Sequence, residues 1–212
     1  MAETLRQKLM SALHRPVYES RLRVLSTAIV SYLQEGDDVL DIGCGFGALG
    51  RALMDHSDCP RDVKVRGAER VKRGGEAIEV EEYDGIKLPY DDNAMDVTIL
   101  ADVLHHDEQP DRLLAEAARV SRRLVIIKDH KIDGLLAQQR ISLMDWAANS
   151  PYGVPCLYRY PTLTGWHEQQ DRLGLARVDE HTHISLYPNP YRWLFTPRLQ
   201  YLAVLQVPDR LD

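Results

Sequence analysis

The stretch Val39 to Gly50, VLDIGCGFGALG, sets Gly43, Gly45 and Gly47 at alternate positions directly after a short apolar run that contains Asp41. Glycine gives up strand and helix propensity here. In exchange the chain can take positive φ, and without a Cβ a ligand can lie against bare peptide. A helix opening at such a turn adds unpaired N–H groups and partial positive charge. The loop therefore suits a nucleotide-like cofactor or a carboxylate. Two cofactor classes compete. Gly43-x-Gly45-x-x-Ala48 satisfies the relaxed dinucleotide fingerprint, in which a pyrophosphate rests on the helix. Asp41 favours the other class, S-adenosylmethionine, which has no phosphate and carries an α-amino group and a sulfonium. A carboxylate beside the glycines suits that cation and repels a pyrophosphate.

The elements that must hold this loop are legible from apolar patterning. Short strand-like runs occupy 38–42, 63–69, 77–80, 95–102 and 123–129. Helical patterns fall between several of them, at Ala48 to Asp55 and at Pro110 to Arg119, where the proline starts the helix. Alternating strands and helices, with continuous apolar strands, imply a parallel sheet covered on both faces. Such sheets bind ligands outside the carboxyl ends of their strands. Ahead of the first strand, the spacing predicts two helices divided by Pro16, the second ended by Gly36. Behind the fifth, it predicts a helix over 134–150, an irregular segment rich in Tyr and Pro over 151–161, a helix over 162–175 capped by Thr162 or Thr164, and two closing strands over 176–187 and 199–207.

The whole chain has 212 residues, 44% of them hydrophobic and 27% charged, which fits one globular domain with a substantial core. The net charge of −6 disfavours a nucleic-acid backbone or an anionic membrane as main partner. No apolar run approaches a membrane span and no signal peptide is legible. Cys44, Cys59 and Cys156 match neither a zinc spacing nor a disulfide framework, which suits a reducing cytoplasm. His181-x-His183 supplies only two imidazoles, so no metal is expected.

Several stretches together resemble the class I S-adenosylmethionine-dependent methyltransferases, in their small-molecule, methyltransferase type 11-like branch. The resemblance covers about Val39 to Lys128. VLDIGCGFG resembles the family's first motif, and GAER (67–70) the end of its second strand. YDGIKLPYDDNAMDVTILADVLHH (83–106) resembles the stretch that members write as Asp-Ala, Leu-Pro-Phe, a Phe-Asp strand and Leu-His-His. Here Gly85 replaces the usual Ala, and Tyr90 and Met95 the usual Phe, without loss of a needed chemical group. The resemblance implies an α/β, Rossmann-like three-layer sandwich with a mostly parallel seven-stranded sheet, its last strand antiparallel. It implies one domain over 1–212: N-terminal helices to 36, a cofactor-binding core over 37–130, a substrate cover over 131–175 and closing strands over 176–212.

Site residues follow from that ligand. Asp41, Gly43, Gly45 and Gly47 would cradle its cationic end. Glu69, followed by Arg70, would accept two bonds from the ribose hydroxyls. Asp84 would accept from the adenine amino group, with the Gly85 N–H at the ring edge. Ala101 and Asp102 would flank the methionine part, and Tyr18 and Arg21 would close over it, the arginine near the carboxylate. His105 and His106, then His130, are the candidate base or acceptor-positioning groups. Trp146, Tyr152, Tyr158, Tyr160 and Trp166 either line an apolar acceptor cavity or pack the inserted helices. The expected cofactor is S-adenosyl-L-methionine, with S-adenosyl-L-homocysteine as product and a small molecule, aromatic or lipid-like, as partner. Monomer and homodimer stay open. So do two other functions: a cofactor-binding regulator without turnover, and an NAD(P)-linked oxidoreductase, against which Asp41 and DGIKLPY argue.

Overall fold

Residues 5–149, 156–189 and 191–208 are described in the structure, a computed structural model. Seven strands form one sheet: β1 (Asp38–Ile42), β2 (Lys64–Glu69), β3 (Val80–Glu82), β4 (Met95–Ala101), β5 (Ser121–His130), β6 (Ala176–His181) and β7 (Gln200–Gln206). Their order is β3-β2-β1-β4-β5-β7-β6. Pairings from β3 through β5 are parallel, and β7 runs antiparallel to both β5 and β6. Only β7 is reversed, so the mostly parallel seven-stranded sheet expected from the sequence is observed.

Each central strand is buried on both faces. Leu40 and Ile42 join Leu100, Ile127, Leu113, Leu114 and Trp166 on one face. Val39 joins Val97, Ile126, Leu25, Ile29, Leu49 and Leu53 on the other. The first face is covered by α3 (Pro110–Val120) and α5 (Leu163–Arg172), the second by α1 (Leu5–Val30) and α2 (Ala48–Met54). This is the three-layer arrangement, and its period-two alternation explains why the strands read as unbroken apolar runs. The helix α4 (Ala137–Asn149) sets Ala137, Ile141 and Met144 on a smaller cluster with Tyr160 and Leu199.

Four local expectations are corrected. The chain stays helical through Pro16, so one helix replaces two. An exposed proline removes one backbone donor, and the ladder on either side of it continues. Gly36 does not end that helix, which stops at Val30; it takes positive φ in the turn before β1, where its N–H donates to the Arg61 carbonyl. The third strand forms at Val80–Glu82 rather than 77–80, because pairing with Gly67–Glu69 sets its register. The strand expected over 176–187 ends at His181, so His183 lies beyond it and the two imidazoles do not share a strand face. Thr162 is the cap of α5, accepting a bond from the Gly165 amide. Tyr152 and part of the irregular segment lie outside the described residues.

Trp166 ties α5 to the end of β5. Its Nε1–H donates to the His130 carbonyl at 2.9 Å, and its ring stacks on Tyr201 at 5.2 Å. Trp166→Phe leaves that carbonyl unsatisfied and is expected to cost about 1–3 kcal/mol. Trp166→Ala adds a cavity and should cost about 3–5 kcal/mol. Urea unfolding of both variants checks the order and size of the losses.

Candidate functional site

The strand order reverses at β1, which has β2 on one side and β4 on the other. Ligands bind at the carboxyl edge of such a switch point. Gly43, Gly45 and Gly47 follow β1 with φ of 68°, 58° and 72°. Their reasons for being glycine differ. A Cβ on Gly43 would meet Val103 at 2.6 Å, and one on Gly47 would meet Ile78 at 2.4 Å. A Cβ on Gly45 would meet nothing within 4 Å. Gly45 alone opens onto space a ligand can use.

Asp41 is buried beneath this loop, and its Oδ2 has no hydrogen-bond partner. Burial pushes its carboxyl up to about 7, against the pull of Arg21. With Tyr18, Arg21, Gly43, Cys44, Leu49 and Ala101 it lines a cavity of about 40 Å³. That space has room for a small group rather than a whole nucleoside.

Asp102 follows β4 with φ of 62°. Arg21 donates to its Oδ2 from Nε at 3.0 Å and Nη2 at 2.7 Å, and the fully buried Lys128 ammonium donates to its Oδ1. Burial penalises the Asp102 charge, but these two cations outweigh it and hold the carboxyl well below its usual range. Glu69 ends β2 and folds onto the glycine loop, accepting from the Gly45 amide at 2.8 Å and from the Arg70 amide at 2.9 Å. Arg70 pairs with Asp107 at 2.6 Å. Its side chain lies against Gly85, where a Cβ would come within 2.6 Å of Nε. Asp84 caps its own turn, accepting from the Ile86 and Lys87 amides, bonds that lower its pKa.

The histidines form a second cluster on the same edge. His105 Nδ1 lies 2.6 Å from the buried Asp129 carboxylate, and His105 Nε2 lies 3.6 Å from Asp145 Oδ1. Burial disfavours a charged ring here, but Asp129 and then Asp145 outweigh it and raise the His105 pKa to about 10. His106 Nε2 lies 3.4 Å from the same Asp145 oxygen. His130 goes the other way: burial and the Lys128 charge push it down to about 3, so its ring is neutral near pH 7. The rings of His105 and His130 sit 5.1 Å apart, and His130 Nε2 is 3.7 Å from Asp102. Beside His105, a cavity of about 270 Å³ is lined by Leu104, Pro110, Arg159, Tyr160 and Trp166 among others. Trp146 and Tyr158 are exposed instead.

Residues 40–126 match the family model described as a methyltransferase domain. The fold is that of the class I S-adenosylmethionine-dependent methyltransferases. A chain of the complex between the Haloferax volcanii Trm112 methyltransferase activator and its candidate methyltransferase superposes with a TM-score of 0.70 at 17% identity, covering 99% of this chain and 100% of that one. An Aquifex aeolicus SAM-dependent methyltransferase gives 0.63 at 17% identity, over 95% and 98% of the two chains. The [4+2]-cyclase SpnF gives 0.62 at 16% identity, over 100% and 98%. Among curated proteins no sequence matches the chain. Among the described residues, no helix is long and apolar enough to cross a membrane.

Within this methyltransferase fold the two clusters are separate. The structure brings Tyr18, Arg21, Asp41, Gly43 and Ala101 around one cavity, with Asp102 on Arg21 and Glu69 on Gly45. Gly85 and Arg70 lie against each other, and of the three histidines His130 comes within 3.7 Å of Asp102. Sequence reasoning missed Asp145, Asp129 and Lys128 as parts of the site. Asp145 was detectable in principle: an acid inside the apolar run SLMDWAA has no reason to be buried unless it is paired.

Asp41 carries a testable sign. Its folded pKa of about 7 lies above the ordinary 3.8. The native state therefore binds its proton more tightly than the unfolded chain, and the stability this contributes is complete below pH 4 and lost as pH rises through 7. Asp41→Asn removes that penalty. At pH 8 the ligand-free variant is expected to be more stable than the wild type by on the order of 2–4 kcal/mol, with the gain vanishing near pH 4. Denaturant titrations at the two pH values check it.

Proposed function

We propose that the chain moves a methyl group from S-adenosyl-L-methionine to an O, N or C atom of a small-molecule acceptor, releasing S-adenosyl-L-homocysteine. The observation that carries this is the Asp41 oxygen, buried and unpartnered, in a cavity beside glycine loop backbone. A buried carboxylate without a partner is costly, and a cationic ligand relieves that cost. A pyrophosphate would raise it, which argues against a dinucleotide.

The residues present fit the cofactor. Asp41 would face its positive end, with Tyr18 and Ala101 as walls of that cavity. Arg21, fixed by Asp102, would meet its carboxylate. Glu69 already holds the loop through Gly45, and each carboxylate oxygen keeps a further lone pair for a ribose hydroxyl. Asp84 and the Gly85 N–H would read the adenine edge, and the Arg70 guanidinium, lying against Gly85, would stack on the ring face. The bound cofactor supplies a methyl group on a positively charged sulfur, already a good leaving group. The protein's own task is therefore mainly orientation and exclusion of water.

The acceptor would enter from the histidine side. His105 is held charged by Asp129, and His130 is buried and neutral. Neither is poised as a base near pH 7, so both act here by position. The cavity of about 270 Å³ beside His105 and Tyr160 has room for a small aromatic or lipid-like group. Turnover is the discriminating property, because the same fold in SpnF is described as a cyclase. Binding of S-adenosylhomocysteine without its release in any acceptor screen would identify a non-catalytic binding protein instead.

Gly45→Val tests the cradle. At φ 58° a side chain costs about 1–2 kcal/mol of strain, and its Cβ projects into open space rather than into protein. The variant is expected to fold and to lose S-adenosylhomocysteine affinity by at least tenfold in calorimetry. Unchanged affinity, or preferential binding of NAD(H) by the wild type, would reject the proposal.

A further inference from the structure

We propose that His105, His106 and Asp145 form a binding site for one divalent transition-metal ion, of the zinc or iron(II) class. His105, His106 and Asp145 each offer one ligand atom, and the three atoms lie within 4.8 Å of one another. His105 Nε2 and His106 Nε2 stand 3.6 Å and 3.4 Å from Asp145 Oδ1. Metal–ligand bonds of roughly 2.0–2.2 Å separate tetrahedral neighbours by roughly 3.3–3.6 Å. Both nitrogen–oxygen distances are therefore close to what one ion requires.

The surroundings are those of a ligand set. His105 directs Nδ1–H at Asp129, at 2.6 Å, so the ligating atom is Nε2, whose proton the incoming cation displaces to solvent. A carboxylate on the second ring nitrogen is the usual support of a metal-bound imidazole. Asp145 is held in turn, its Oδ2 accepting from the Tyr160 hydroxyl at 2.6 Å and so leaving Oδ1 to face the rings. The Asn149 amide nitrogen sits 2.7 Å from Asp145 Oδ1 and 3.3 Å from His106 Nε2, marking the point on which these atoms converge. Rotating that amide presents its oxygen as a further donor. Two imidazoles and one carboxylate select borderline metals over magnesium or calcium, which favour all-oxygen sets. Three protein ligands also leave a position open for a water or an acceptor heteroatom.

The geometry stands apart from the methyl-transfer reading, and only the idea that the open position receives the acceptor rests on it. The test uses tag-free full-length protein, stripped with a chelator and titrated with Co2+ in the absence of cofactor. One equivalent per chain is expected to produce visible ligand-field bands, and Zn2+ is expected to abolish them by competition. His106→Ala and Asp145→Ala should each weaken Co2+ binding at least tenfold, and Asp129→Asn should weaken it by roughly 10–100-fold. His183→Ala, which removes an imidazole elsewhere, should leave the bands intact. Circular dichroism checks that each variant folds; if Asp145→Ala does not, the partly exposed His106 decides. Absence of bands at excess Co2+, or bands that persist in His106→Ala, would overturn the proposal, with S-adenosylhomocysteine binding measured separately to keep the two readings distinct.

Discussion

The site depends on Asp102, a carboxylate held between two cations from different elements. Arg21 reaches it from α1 and Lys128 from β5, while Asp102 itself ends β4. Lys128 is fully buried, and an unpaired ammonium there would be untenable. The triad therefore locks the N-terminal helix to the carboxyl edge of the sheet. It also holds Asp102 in a left-handed backbone conformation that a non-glycine residue adopts only at a cost. Removing Asp102 would leave the buried Lys128 ammonium without this carboxylate.

Against that background Asp41 is the exception. It lies on the neighbouring strand, more deeply buried, yet one oxygen has nothing to bond. The protein satisfies its buried charges at Asp102, Asp129 and Asp145 and leaves this one unmet. A group kept short of a partner, beside backbone stripped of side chains at Gly45, is what the proposed cationic ligand would complete. Under the proposed function, folded stability and ligand affinity would oppose each other at this residue.

The histidine cluster, on the proposed acceptor side, has its charges met. Two adjacent imidazoles on the short turn Leu104–His106 meet Asp145 from α4; Asp129 holds the His105 ring and the Tyr160 hydroxyl holds Asp145. Such networks are rigid when every member is satisfied. Rigidity is useful where an acceptor must be presented to a methyl group along one line.

Much of the core was legible in the residues alone. Unbroken apolar strands, alternating with helices, specify a doubly covered parallel sheet because each strand must bury both faces. The glycine loop, Asp41 and the strand-end acids were readable as a candidate site for a related reason: ligands of such sheets meet residues next to strand ends, so local spacing marks them. Pro16, Gly36 and the true register of β3 were not readable, since a helix ladder tolerates one missing donor and strand register is set by a neighbour rather than by the strand itself. Nor was the histidine cluster. His105 and His106 are neighbours in sequence, but Asp129 and Asp145, which decide the state and aim of their rings, come from β5 and α4. Only folding brings those charges within a few ångströms, and at that range Coulomb energy in a buried setting, not residue type, decides which imidazole is charged, which is neutral and which atom is left to bind.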